Sequence, residues 1–277
     1  MRATFHNGRH ATSPKHNDRD FNVTKANHID PTKPCLIRFI ENDINGAYET
    51  FDEQEQAFYK DNFSEHIANQ NARMIELRNK KKCKTIENYR KSTKTCPEET
   101  IMQVGKWNNK TKQVESVPAD ELENMFWEFT EWHWEKYPQA VILNAAVHCD
   151  EPHAAPHIHM RKVWVSTDEN GAKCVCQTKA LQDMGVELPD PDKPVGRNNN
   201  LKMTYTAKYR EKWEEIVKFH GYELEDRLDK SKTGLSHEQY IANQISEEID
   251  EKHSDLNIRI RKYNEKTKAL ESEKSNR

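Results

Sequence analysis

The stretch VILNAAVHCDEPHAAPHIHMRKVWVS, residues 141–166, decides the fold. Residues 141–148 read as a buried strand, apolar and partly β-branched. Residues 157–166 read as a second one. The segment between them contains Pro152 and Pro156 and cannot continue either strand. Two such strands joined by a short turn predict an antiparallel hairpin. Residues two apart on a strand share a face, so His157 and His159 point to one spot. The hairpin brings His148, the last residue of the first strand, beside them. Three converging imidazoles make a divalent-metal site with open coordination positions for water or substrate. Asp150 and Glu151 stand close enough to orient ligands or substrate, although Asp150 also suits a turn. His153 falls in the turn, where the strand-face argument does not reach it, and reads as a loop residue.

Outward from the hairpin, strands and helices alternate irregularly. Residues 34–41, PCLIRFIE, read as a short strand. From Phe51 to Lys82 no Gly or Pro interrupts, and Phe63, Ile67 and Met74 fit one face of a long helix. A short strand is expected at 100–106. Leu122, Met125, Phe126, Phe129 and Trp132 form the apolar face of a helix from Asp120 to Tyr137, stopped by Pro138. A Pro/Gly/Asn-rich loop covers 185–203. A further helix follows, with Tyr209, Trp213, Ile216, Val217 and His220 on one face, and GYELE (221–225) suggests one last strand. From Ser236 the chain is charged and helical, with Ile249, Leu256, Tyr263 and Leu270 at seven-residue spacing and polar Lys252, Arg259 and Lys266 between them, a weak coiled-coil pattern. The expected fold is α+β: a central antiparallel sheet flanked by helices, in a domain of residues 1–230, with a charged C-terminal helical extension, 231–277.

Composition narrows the function classes. Of the 277 residues 34% are hydrophobic and 32% charged, so part of the chain is solvated helix, while six Trp and nine Phe argue for a real core. No apolar run approaches the ~18 residues of a membrane span. MRATFHNGRH lacks the apolar stretch of a secretory signal. The six cysteines are scattered, Cys174 and Cys176 forming a CxC rather than a CxxC, and read as reduced thiols of a cytoplasmic protein. The net charge of -3 hides a basic stretch. Residues 73–94 carry nine Lys or Arg, among them Arg73, Arg78, Lys80, Lys81 and Lys82, against two Glu. Such a stretch can displace counterions from a phosphate backbone; its plainer reading is a solvated helix end and loop.

Residues 1–33 are polar, reading as disordered or as a functional loop around a site. Within them KHNDRDF (15–21), followed by HID (28–30), packs groups suited to phosphate. Arg19 can clamp a phosphate with two parallel hydrogen bonds, and His16 can serve as nucleophile or base.

Together the motifs resemble the Mob/Pre family of plasmid mobilisation relaxases, in the HUH endonuclease superfamily. That family pairs an N-terminal HNxR with HxDExxPHxH. Here these are His16-Asn17-Asp18-Arg19, then His148-Cys149-Asp150-Glu151 and Pro156-His157-Ile158-His159. Four residues rather than two separate Glu151 from Pro156, which lengthens the turn. RATFHNGR, KTCPEET, HIHMRKVW and KALQDMG add to the likeness, which runs to about residue 235.

The resemblance implies one divalent ion, manganese or magnesium, on His148, His157 and His159, with Glu151 as the catalytic carboxylate beside it. It implies site-specific nicking of a plasmid or mobile-element strand at an origin of transfer, in the bacterial cytoplasm, leaving the 5′ phosphate on protein. The HNxR histidine maps to His16 as nucleophile, with Tyr48 or Tyr59 as alternatives by position. Arg197 and Asn198 join the basic stretch as candidate DNA contacts. The partners implied are single-stranded or supercoiled plasmid DNA, a second copy through the C-terminal helix, and conjugation coupling machinery, without membrane insertion. Competing readings are a rolling-circle replication initiator, a non-catalytic DNA-binding protein with a degenerate site, and a zinc hydrolase using the same three histidines.

Overall fold

A computed structural model describes residues 1–8, 13–26, 28–33, 38–40, 48–108 and 111–225, together with scattered residues between 246 and 263. The chain divides into two units, Met1–Glu225 and Asp226–Arg277. In the second, the described residues are helical, and Ile249, Leu256 and Tyr263 of the heptad pattern are exposed; Lys266 and Leu270 lie outside the described residues.

The described residues of the first unit form seven strands: β1 (Ala3–Gly8), β2 (Arg38–Ile40), β3 (Glu98–Asn108), β4 (Gln113–Ser116), β5 (Ala140–His148), β6 (His157–Thr167) and β7 (Lys173–Val175). They also form six α-helices: α1 (Pro14–Asn17), α2 (Phe51–Glu76), α3 (Ile86–Lys91), α4 (Ala119–Lys136), α5 (Gln177–Asp183) and α6 (Leu201–Phe219). The sheet runs β1-β3-β6-β5-β2, with β4 added to β3 and β7 to β6. Every pairing is antiparallel. The expected α+β class is what forms.

Three departures from the sequence reading have physical causes. The polar N-terminus supplies a paired strand, β1, held by β3 and anchored through Phe5 rather than by continuous apolar alternation. Residues 221–225 are not a strand; two hydrogen bonds, Glu225 N–H to Met1 O and the Met1 ammonium to Glu223 O, tie them to the N-terminus. The long helix ends at Glu76, and Lys80–Lys82 form a separate 3-10 turn after Arg78 takes a positive φ of 52°.

The sheet separates two cores. On one face β3, β5 and β6 pack Met102, Val104, Ile142, Val147, Met160 and Trp164 against α4 and α6. On the other, Leu143 and Val163 meet Tyr59, Phe63 and Ile67 of α2. A bulge in β5 between Ile142 and Asn144 reconciles the two. It lets Leu143 and Asn144 both address α2, Asn144 donating to Gln54 and Glu55. Past the bulge the alternation places Ala145 and Val147 in the α4 core and turns Ala146 and His148 toward α2. The α2 helix starts at a capping box, Thr50 with Glu53. Its first backbone N–H, at Phe51, donates to Asp18, so α2 begins beside α1.

His133 of α4 is fully buried and donates Nε2–H to Ala140 O at 2.6 Å. Burial pushes its pKa down to about 3. The unfolded chain therefore takes up a proton near 6.5 that the folded chain refuses until about 3. Stability is full above 6.5 and falls by up to ~1.4 kcal/mol per pH unit below it. His133→Gln keeps a donor without a titration. It is expected to flatten the fall in melting temperature between pH 6.5 and 4 relative to wild type. Parallel pH profiles would count against this account.

Candidate metal centre

His148 and His157 are direct partners across the β5–β6 ladder, and His159 pairs with Ala146. Alternation along β6 sends Ile158 and Met160 into the α4 core and leaves both histidines on the α2 face. The three rings converge there. Their centroids lie 4.4 Å apart for His148–His159, 5.0 Å for His157–His159 and 5.3 Å for His148–His157.

Each ring commits one nitrogen to an oxygen. His148 Nε2 donates to Asn17 O at 2.8 Å, His157 Nδ1 to Ala155 O at 3.0 Å, and His159 Nδ1 to Glu99 Oε1 at 2.5 Å. A carbonyl or carboxylate oxygen only accepts, so the ring proton sits there and the lone pair is on the opposite nitrogen. For His148 that nitrogen, Nδ1, is buried and has no hydrogen-bond partner among the described residues. Glu151 Oε1 stands 3.7 Å from both His148 Nδ1 and His157 Nε2. That is too long for a hydrogen bond and near the separation of donors that share one ion at ~2.1 Å. Donor atoms of His148, Glu151 and His157 lie within 4.8 Å of one another, as do those of His16, His148 and His159. The residues present fit a divalent cation, with Glu151 closer to a ligand than its sequence position suggested.

Short as it is, α1 is well specified. Ser13 caps it by accepting from His16 N, and Pro14 occupies its first turn. Asn17 is fully buried and donates to Glu99 Oε1 at 3.0 Å. His16 then stands over the cluster, its ring centroid 5.5 Å from His148 and 5.6 Å from His159. Arg19, at a φ of 60°, ends the turn. Its guanidinium grips Asp150 through Nε (2.9 Å) and Nη2 (2.6 Å), and Glu151 through Nη2 (3.1 Å). The fork expected to clamp phosphate thus ties the N-terminal segment to the β5–β6 turn. Its Nη1 also lies 3.3 Å from His16 Nε2; a guanidinium only donates, which leaves the His16 lone pair at Nε2.

Electrostatics keep the cluster in its ligand form. Burial, with His159 next, pushes His157 down to about 4. Burial also lowers His159, against the pull of Glu99. Burial, then Arg19 and the neighbouring histidines, push His16 down to about 4, so it is a neutral imidazole. Burial opposes the charge of Glu151, but His148, His157 and Arg19 outweigh it and hold the carboxyl well below the ordinary range. A cavity of about 270 Å³ opens over the site, lined by His16, His28, Gln103, Glu151, His157 and His159 among others.

The other sequence candidates lie elsewhere. Arg73 pairs with Glu169 beyond the far end of β6, and Arg78 and Lys80–Lys82 follow it. About 22 helical residues separate Arg73 from the start of α2, ~33 Å at 1.5 Å per residue. Arg90, counted in the same basic stretch, is buried against Asp52, Glu55 and Glu87. Arg197 and Asn198 are exposed in the loop leading into α6, whose core residues pack on the opposite face of the sheet. Tyr59 is fully buried with its hydroxyl donating to Thr95 O at 2.6 Å, and burial raises its pKa well above the ordinary value. Tyr48 lines a different cavity, with Gln54 and Phe58. Sequence reasoning assigned no part to Glu99. The detectable signal was two adjacent acids, Glu98 and Glu99, just before the apolar-containing segment 101–104 of the same strand.

A family model for the plasmid recombination enzyme, Mob/Pre, matches residues 4–199, more than half of the chain and all of the histidine cluster. The chain belongs to this family. No curated protein matches the Mob/Pre chain described here. Among solved structures it is similar to the MobM relaxase domain, solved with manganese and bound to oriT DNA of plasmid pMV158. Identity is 16%, over 88% of this chain and 99% of that one, with a TM-score of 0.49. A second structure of that domain with 22-nucleotide DNA, at pH 5.5, is 17% identical over 88% and 100%, with a TM-score of 0.48.

Proposed function

We propose that this Mob/Pre chain is a metal-dependent DNA relaxase that nicks one plasmid strand by transesterification at an origin of transfer. One observation carries the reading: the His16 imidazole stands directly over an imidazole–carboxylate cluster, and both line one open cavity. Such a pairing sets a nucleophile beside a metal-bound phosphate. The family's own description, plasmid recombination, supports plasmid DNA as the substrate.

His148, His157, His159 and Glu151 would hold the ion. Three imidazoles and one carboxylate suit a divalent cation, here proposed to be manganese or magnesium. When bound, the ion polarises a phosphoryl oxygen of the scissile phosphate and offsets the charge that builds there. His16 Nε2 forms a bond to phosphorus as the P–O3′ bond breaks. The 5′ phosphate stays on the imidazole as a phosphoramidate, and the departing 3′ oxygen gains the proton that the imidazole gives up. Arg19 is a positioning residue, holding Glu151, Asp150 and the His16 turn in one unit. Because the protein–phosphate bond retains the energy of the one it replaced, a 3′ hydroxyl can reverse the step and rejoin the strand.

Incubation with supercoiled cognate plasmid and manganese is expected to yield open circles with protein on the 5′ end, and a chelator should prevent them. Open circles formed in chelator, or free of protein, would refute the reading.

The basic turn at 78–82 enters as a remote DNA contact. At 3.4 Å per base pair, ~33 Å corresponds to about ten base pairs of duplex. Replacing Lys80, Lys81 and Lys82 with alanine should flatten the salt dependence of binding only for DNA extending that far from the nick. An equal effect on short oligonucleotides would reject this placement.

A further inference from the structure

Four aromatic rings surround the His16 imidazole. Two are His148 and His159, which meet it edge-on at 66°. The other two are Phe21 and His28, which have no part in the chemistry above. The Phe21 ring is within 9° of parallel to His16 at 6.1 Å, and the His28 ring within 18° at 5.8 Å.

Both rings are delivered by anchored backbone. The left-handed turn at Arg19 returns the chain so that Phe21 N–H donates to Arg19 O at 2.7 Å. On the other side, Ile29 is buried and Asp30 N–H donates to Asp150 O at 2.7 Å, which fixes the HID segment against the β5–β6 turn. His28 between them lines the cavity. The rings themselves remain accessible, Phe21 at 39% exposure.

An imidazole nucleophile has a directional demand. Its lone pair lies in the ring plane, so rotation about Cβ–Cγ turns it away from phosphorus without moving the backbone. The hydrogen bond from Arg19 Nη1 to Nε2, long at 3.3 Å, restrains that rotation only weakly. Near-parallel aromatic neighbours oppose it, because tilting the imidazole drives its edge into their faces.

We propose that Phe21 and His28 are positioning residues that hold the plane of the His16 ring for in-line attack. This rests on His16 being the nucleophile. A His28 nitrogen also lies within 4.8 Å of donor atoms of His16 and Glu151; the part assigned to His28 here is that of its aromatic ring, which phenylalanine also supplies.

The test measures single-turnover adduct formation on a saturating origin oligonucleotide with manganese. Variants are His28→Ala, His28→Phe and Phe21→Ala, with His16→Ala as control. Misorientation of a reacting group by about 1 Å costs ~100-fold. His28→Ala and Phe21→Ala are therefore expected to slow the step by ~10- to 100-fold, with DNA and manganese affinities and melting temperature unchanged. His28→Phe should recover most of the rate. Wild-type rates in both alanine variants would overturn the proposal, as would His28→Phe being as slow as His28→Ala. An adduct that survives His16→Ala would instead sink the nucleophile assignment, and the control reports that separately.

Discussion

His16→Ala is expected to eliminate the covalent protein–DNA adduct and to lower nicking by about four orders of magnitude, the cost typical of removing a nucleophile. The variant should remain folded. His16 is only partly buried, and its backbone, not its ring, supplies the N–H that Ser13 caps. Metal affinity should stay within a few-fold of wild type, because His148, His157 and Glu151 keep their donor spacing without it. Two controls separate imidazole from tyrosine chemistry. Tyr48→Phe should leave the adduct intact, since Tyr48 belongs to another cavity. Tyr59→Phe should affect stability alone, through the lost hydrogen bond to Thr95 O. The linkage offers a third check: a phosphorus–nitrogen bond to histidine is labile to acid, whereas a tyrosyl phosphodiester is not. An acid-stable adduct, or an adduct undiminished in the alanine variant, would remove His16 from its role.

The hairpin that carries the histidines was legible because its signals are local. Two apolar runs, a proline-bearing turn and an i, i+2 histidine pair are enough to predict β5, β6 and the convergence of His148 with His157 and His159. The α4 helix was equally plain, its apolar residues at helical spacing between Pro118 and Pro138. What could not be read is set by register between distant strands. Glu99 meets His159 because β3 pairs with β6 so that Ile101 faces His159 and Glu99 faces Arg161. No spacing rule links residue 99 to 159. The placement of the basic stretch was hidden for a different reason. Composition reported its charge correctly, but not that α2 would carry Arg73 and Lys80–Lys82 to the far end of the domain, nor that Arg90 would turn inward to Glu55. Lys162 is similar: nothing in its strand's sequence shows that it is fully buried and paired with Glu98.

Glu98 and Glu99 allow a sharper experiment than either alone. They are adjacent on β3, both buried, and point to opposite faces of the sheet. Glu99 accepts from His159 Nδ1 and from Asn17, and Arg161 stands 3.8 Å away. Glu98 pairs with Lys162 at 3.4 Å and with Lys202, and those lysines outweigh burial and bring its carboxyl down to about 2. Carboxylates that orient metal-binding imidazoles typically contribute 10- to 100-fold in metal affinity. Glu99→Gln is therefore expected to weaken manganese binding by ~10- to 100-fold, with nicking restored by excess manganese. Its cost in stability should be modest, about 1–2 kcal/mol, because Glu55 remains to neutralise Arg161. Glu98→Gln is expected to reverse the pattern. It leaves the fully buried Lys162 without its compensating charge, which costs ~3 kcal/mol or more, while manganese affinity stays at the wild-type value. Titration calorimetry with manganese and thermal unfolding of both variants read the two quantities independently. Equal losses of metal affinity in the two variants would mean that both act through general destabilisation. Glu99 would then not be what holds the His159 ring toward the ion.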